Sequence, residues 1–136
     1  MQGREFLVPA WALANRTSEA DWRLAVTSAY YALFLECRDA LRRWGCPPFP
    51  RFGAHAAVRL KMAYAKNTDL HSIGDALDDL IRLRNHACYD LAPHPDFASA
   101  TKAHNAITRN ANASRLLDAI EADPQRRAAA IASLPP

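Results

Sequence analysis

Leu80-Ile81-Arg82-Leu83-Arg84-Asn85-His86-Ala87-Cys88-Tyr89-Asp90 sets an arginine where a helix calls for a leucine, and the reading of the chain turns on it. At about 100° per residue, Ile73, Leu77, Leu80, Ile81, Cys88 and Leu91 share one side of a helix, and Arg84 lands among them. A guanidinium in that place has to be paired, solvated in a cleft or turned toward a second chain. Asp78, Arg82, Asn85 and Tyr89 gather on the flank beside it. One helix therefore carries an apolar stripe and, next to it, a hydrogen-bonding strip. A plainer reading has Arg84 snorkelling from a core helix, with Asp78 and Arg82 as an ordinary i, i+4 ion pair.

Outward from this helix the signals stay helical. Half of the 136 residues are hydrophobic, only four are glycine and alanine is abundant, so helix-favouring composition outweighs strand signals. The expectation is one all-α domain over 1–136, a bundle of about four main helices with short terminal helices and a core at about 19–122. The net charge of +3 and pI near 9.0 allow an anionic partner, although acids and bases are interleaved without a basic tail. Cys37, Cys46 and Cys88 are odd in number and lack CxxC spacing, which argues against a disulfide framework and a zinc knuckle and for a reducing cytoplasm. The N-terminal run Phe6-Leu7-Val8 is cut short by charge and proline, unlike a signal peptide, and no stretch approaches the roughly 20 apolar residues of a membrane span. A soluble, cytoplasmic protein is expected.

Along the chain, residues 9–15 read as a short helix with Pro9 in its first turn and Trp11 free to dock. Ser18 with Asp21 caps a long helix over about 19–44, whose stripe runs through Trp22, Val26, Ala29, Tyr30, Leu33, Phe34, Cys37, Leu41 and Trp44 to Gly45. Tyr31, Leu35, Arg38 and Arg42 make a second strip, suited to a third helix or to a dimer surface. Pro47, Pro48 and Pro50 enforce a loop. A shorter helix follows from about 53 to 66, burying Val58 and Met62, with His55 near its start. Asn67, Thr68 and Asp69 break it, and Ser72 with Asp75 caps the helix of Arg84, expected over 73–91. Pro93 and Pro95 end that helix, and Asp96 is placed to cap the next, which runs to about Ala122. Its apolar face is Phe97, Ala100, Ala103, Ile107, Leu117 and Ile120. Its polar middle, Asn105, Thr108, Arg109, Asn110, Asn112 and Arg115, reads as a solvated face or a groove. Asp123 and Pro124 start a last helix, and Leu134, Pro135 and Pro136 are expected to fray.

Several chemistries are absent from the sequence. The five histidines lie too far apart for an HExxH-type site, so no metal is expected, and four scattered glycines provide no phosphate-cradling loop, so no nucleotide cofactor is expected either. Cys88 reads as a small core hydrophobe. What remains is Arg84 with Asn85, His86 and Tyr89. An arginine can hold a phosphate and stabilise its developing charge while a neighbouring acid or base handles the proton of a ribose 2′-hydroxyl. His86 sits about 200° round the helix from Arg84, so the two meet at one phosphate only across a second subunit; within one chain His86 belongs at the surface near Asp90.

Two stretches resemble the HEPN family, in its subgroup of short stand-alone bacterial and archaeal chains. Ala25-Val26-Thr27-Ser28-Ala29-Tyr30-Tyr31-Ala32-Leu33-Phe34 is similar to the family's Ser-Arg-Ala-Tyr-Tyr-Ala-x-Phe helix, and Leu83-Arg84-Asn85-His86-Ala87-Cys88-Tyr89-Asp90 to its Leu-Arg-x-x-Ala-Asp-Tyr-Asp segment. His55-Ala56-Ala57-Val58 echoes the subgroup's His-x-Gly-Val. The resemblance covers about residues 20–122 and implies a HEPN-like bundle that dimerises around an RNA-cleaving or RNA-binding cleft, in toxin–antitoxin or defence systems and often beside a minimal nucleotidyltransferase. Ribonuclease members carry Arg, a polar residue, then His after four to six intervening residues. Here Arg84 and Asn85 match the first two, Tyr89 stands where a histidine would, and Cys88 replaces the usual aspartate.

Two expectations follow. One is an RNA-acting toxin or defence protein, if an enzyme then a metal-independent endoribonuclease, with Arg84 on phosphate, Asn85 as hydrogen bonder and Tyr89 or a cross-subunit His86 moving the proton. The other is a non-catalytic partner that binds a nucleotidyltransferase, an antitoxin or nucleic acid. A homodimer is expected in both, and no membrane.

Overall fold

The Ser18 hydroxyl accepts the Asp21 amide at 3.1 Å, so the central helix α2 (Glu19–Arg43) begins where its cap lies, and it ends before Gly45, whose φ of 86° suits a residue without Cβ. Residues 1–136 are described by a computed structural model, helical throughout and without strands. Val26, Ala29, Tyr30, Leu33, Cys37 and Leu41 of α2 are fully buried. Each large side chain among them contributes on the order of 1.5–3 kcal/mol by leaving water. Around α2 pack α1 (Leu7–Ala14), α4 (Thr68–Tyr89) and α5 (Thr101–Ala122), with α3 (Ala54–Ala63) against α4 and α6 (Pro124–Ser133) against α5. This is an all-α bundle of four main helices with short terminal ones, and no helix is long and apolar enough to cross a membrane.

The second strip of α2 is met from within the chain. The 3-10 turn Gly3–Phe6 lies on it so closely that a Cβ on Gly3 would sit 2.6 Å from the Leu35 Cβ. Arg4 pairs there with the buried Glu36 at 2.8 Å, and Arg38 and Arg42 pair with Asp39.

Several boundaries differ from the sequence reading. The helix of Arg84 starts at Thr68, not Ile73, because the Asn67 side chain accepts both the Asp69 and Leu70 amides, so the polar triplet caps α4 and Ser72 is interior. Gly74 then lets α4 approach α3, since a Cβ there would lie 2.6 Å from the Ala63 Cα. Asp96 does not cap α5: His94 caps a 3-10 turn at Pro95–Phe97, and α5 opens at Thr101 behind Ala100 without a side-chain cap. Nor is Asn110 solvated. It is fully buried, donates to the Ala29 carbonyl at 2.7 Å and accepts the Ser114 hydroxyl, pinning α5 to α2. The C-terminus is tied down as well, through Lys66 N–H to the Ser133 carbonyl and Lys61 Nζ to the Pro135 carbonyl.

The end of α4 is held by a residue of α2. Buried Arg23 donates from Nη1 to the carbonyls of His86, Ala87 and Asp90 at 3.1, 3.0 and 2.6 Å, and its guanidinium lies 4.3 Å over the Phe97 ring. The last carbonyls of a helix run out of intrahelical donors, and Arg23 supplies one to Ala87 and Asp90 and a second one to His86, which also accepts the Asp90 amide. Because a charged group closes this turn and no apolar layer covers it, Cys88 and Leu91 are exposed, against the core positions the helical wheel assigns them. Cys88 Sγ instead meets the Thr27 hydroxyl at 3.1 Å.

Candidate functional site

Arg84 leaves α4 toward α2 and the first turn of α3. Its Nη2 donates to the Tyr31 hydroxyl at 2.8 Å and its Nη1 to the side-chain Oδ1 of Asn85 at 3.0 Å, while Nε is buried and meets no acceptor. Three aromatic faces surround the charge, Tyr89 at 5.3 Å, Tyr31 at 5.4 Å and Tyr30 at 6.0 Å. Cation–π attraction of this kind contributes roughly 0.5–2 kcal/mol per good contact. No carboxylate lies within ion-pair distance. Arg4, Arg23, Arg38 and Arg59, the other arginines that are not exposed, each have one. Burial works against the Arg84 charge, but Tyr31, with Tyr89 and Cys88, outweighs it and leaves its pKa raised.

His55, at the start of α3, joins this group from a distant part of the chain. Its Nδ1 lies 2.6 Å from the buried Tyr30 hydroxyl, and its ring stacks on Phe34 at 4.2 Å and stands edge-on to Tyr31. Burial, helped by the Arg84 charge, lowers its pKa, so the imidazole is neutral at neutral pH. Burial also raises the Tyr30 phenol above its ordinary range, against the pull of Arg84.

No protein-family model, curated protein or solved structure matches the chain. The chemistry open to this group of residues follows from what it contains: a cation with unused donors, a neutral imidazole and an exposed tyrosine ring. Such a set can hold an oxyanion and exchange a proton beside it.

Of the residues singled out in the sequence, Arg84, Asn85 and Tyr89 come together, with Tyr89 largely exposed. His86 does not join them. It turns to the other side of α4, with its ring 4.5 Å from that of His94 and its Nδ1 3.9 Å from Asp96. It lines a groove of about 640 Å³ between α4 and α5, walled by Arg82, Lys102, Asn105 and Arg109. Sequence reasoning left His55 out of the site and placed Tyr31 only on a second strip. The signal available for both was the Tyr30-Tyr31 doublet facing a helix that opens on a histidine.

Proposed function

We propose that this chain is a HEPN-type protein acting on RNA, with Arg84 as the phosphate-binding group of a metal-independent ribonuclease cleft in a toxin–antitoxin or defence system. The observation that carries this reading is Arg84 itself, a partly buried guanidinium whose hydrogen-bond partners are the uncharged Asn85 and Tyr31 and no carboxylate, near a neutral histidine. A structural arginine in such a place is normally neutralised. An anion-binding one keeps its charge for the ligand.

In the proposed reaction Arg84 holds the non-bridging oxygens of the scissile phosphate. With Nδ1–H turned to the Tyr30 oxygen, His55 Nε2 takes the proton of the ribose 2′-hydroxyl as the 2′-oxygen attacks phosphorus. The bond to the 5′-oxygen breaks, that oxygen receives the proton, and a 2′,3′-cyclic phosphate and a 5′-hydroxyl result. The exposed Tyr89 ring offers a base a stacking face, on the order of 1–3 kcal/mol. The test is RNA affinity and cleavage of labelled single-stranded RNA by wild type, Arg84→Leu and Arg84→Lys. Leucine should weaken binding roughly tenfold or more, the scale of one charge-assisted hydrogen bond at about 1.5–3 kcal/mol. Lysine should restore it only in part, since a point charge does not reproduce the fork. Equal affinity in all three proteins refutes the role of Arg84.

The second reading, a non-catalytic subunit for a nucleotidyltransferase or antitoxin, is favoured by exposed apolar groups at the cleft edge. Tyr89 and Leu91 are exposed at the end of α4, as is Leu24 between Arg23 and Thr27, which both bond that turn. In the RNA-acting reading the same groups make a two-fold contact that brings two Arg84 clefts together. Light scattering at micromolar concentration should give a dimer, and Leu24→Lys with Leu91→Lys a monomer. A monomeric wild type that neither binds nor cuts RNA leaves only the second reading.

A further inference from the structure

The face of α4 opposite Arg84 carries a cluster that the RNA reading does not use. His86 stands in the last turn of α4, His94 caps the following 3-10 turn, and Asp96 lies within that turn. Nδ1 of His94 is 3.4 Å and Nδ1 of His86 3.9 Å from the same carboxylate oxygen, Asp96 Oδ2, and one donor atom from each residue lies within 4.8 Å of the others. The Asp96 side chain is three-quarters buried, and the two imidazoles and Lys102 stand 3.4–3.9 Å from its oxygens.

A carboxylate that merely pairs with an imidazolium closes to a charge-assisted contact of about 2.7–2.9 Å. Donors that share one tetrahedral ion, each about 2.0–2.1 Å from it, stand roughly 3.3–3.4 Å apart. The observed spacings begin at that value, and modest side-chain rotations close the remainder. Pro93 and Pro95 flank His94 and limit the freedom of the connecting chain, so two of the three donors are held by a stiff segment and the third by a helix.

We propose that His86, His94 and Asp96 form a binding site for a divalent late-transition ion of the zinc type. Two imidazoles and one carboxylate suit zinc, cobalt or iron, whereas magnesium and calcium favour all-oxygen sets. Three protein donors leave a coordination position open, and His86 and Asp96 both line the 640 Å³ groove, so this position faces a space that admits a small ligand. Two local features oppose the ion. His94 Nδ1 accepts the Asp96 amide at 3.1 Å, a bond that binding through this nitrogen gives up, and Lys102 Nζ lies 3.9 Å from the second Asp96 oxygen. The site therefore binds more weakly than a closed structural zinc site, and its ion exchanges. The 3-10 turn loosens as it loads.

The experiment uses the full chain, titrated with Co²⁺ alone by visible absorption and with Zn²⁺ alone by calorimetry, alongside His86→Gln, Asp96→Asn and the control Cys88→Ser. Circular dichroism checks that each variant is folded. The expected result is one ion per chain, a tetrahedral cobalt spectrum without thiolate bands, affinity lowered roughly tenfold or more in His86→Gln and Asp96→Asn, and no change in Cys88→Ser. Absence of saturable binding, thiolate absorption, or wild-type affinity in both ligand variants overturns the proposal. Arg84→Leu should bind Co²⁺ as wild type does, so failure of the metal site and failure of the RNA reading are separate outcomes.

Discussion

The Tyr30 hydroxyl meets Nδ1 of His55 at 2.6 Å, joining the middle of α2 to the first turn of α3. Burial and the Arg84 charge keep His55 from protonating at its ordinary pKa of 6.5. The unfolded chain takes up that proton near the ordinary value, the folded chain only at lower pH. Between the two the unfolded state binds more protons, so this residue makes stability fall as pH drops through about 6.5 and rise again toward neutrality. The melting temperature of wild type should therefore decline more between pH 7 and pH 5 than that of His55→Gln. In NMR titrations the His55 midpoint should lie below the ordinary imidazole value and move up in Arg84→Leu. An unmoved midpoint would show that the Arg84 charge does not act on His55.

If Arg84 is the phosphate-binding group proposed above, it serves the ligand more than the fold. Its Nε is buried without an acceptor, a cost of about 1–3 kcal/mol that the Tyr31 bond and three aromatic contacts offset. Arg84→Met removes both sides of that balance. Its melting temperature should stay level or rise; a fall of many degrees would make Arg84 a structural residue.

How far the sequence could be read depended on whether the deciding contact was local. Ser18 and Asp21 are three residues apart, and the start of α2 was legible from them. Asn67-Thr68-Asp69 was ambiguous, because the same polar residues that end one helix can accept the first amides of the next. The helical wheel pointed Cys88 and Leu91 toward a core, but it says which way a side chain faces, not whether another element covers it. His55 and Arg84 are brought together across the α3–α4 connection, and His86 and His94 across the segment that holds Pro93, and no spacing rule links either pair. Beyond its i, i+4 pairing with Glu19, Arg23 carried no signal, since its other hydrogen-bond acceptors are backbone carbonyls at the far end of another helix.

Gly74 should not tolerate even alanine. Alanine would gain about 1 kcal/mol in helix propensity, yet its Cβ would lie 2.6 Å from both the Cα and N of Ala63, backbone atoms that move only if α3 moves. Overpacking of this kind costs about 1–3 kcal/mol, so a net loss of up to roughly 2 kcal/mol is expected. Thermal unfolding of Gly74→Ala checks it, and a rise in melting temperature would mean that α3 is loosely held.

Arg4 ties the N-terminal turn to two helices, bonding buried Glu36 of α2 at 2.8 Å and Asp118 of α5 at 2.7 Å. Burial alone would push the Glu36 carboxyl up, but Arg4 overrides it and holds Glu36 below its ordinary pKa; Arg4 lowers Asp118 as well. Depressed carboxylates stabilise the fold above their ordinary values of 4.5 and 3.8, and that contribution is lost as pH falls through the folded values. Arg4→Met should cost about 2–3 kcal/mol at pH 7, less than for a wholly buried pair because Arg4 is partly exposed, and much less at pH 3. Denaturant unfolding at the two pH values tests this, and an equal loss at both would assign the effect to packing.

Arg23 gives the most demanding test of how the end of α4 is held. It is buried, with a Glu19 contact at 2.9 Å on one side and the Phe97 ring on the other, and its Nη1 reaches three carbonyls of the last turn of α4 and the chain beyond it. Methionine would fill much of the same volume without a single donor. Those carbonyls would then have to find water at a junction that Arg23 now closes, and the loss should be about 3 kcal/mol, or roughly ten degrees in melting temperature for a chain of this size. Lysine, able to reach one or two carbonyls but not the whole fan, should recover less than half. The same turn carries His86 and leads into the segment with His94 and Asp96, so Arg23→Met should also weaken Co²⁺ binding while leaving the His55 titration in place. Unfolding and Co²⁺ titration on the same samples separate the two effects. If the methionine variant melts within a degree or two of wild type, water already serves those carbonyls and Arg23 is not the cap of α4.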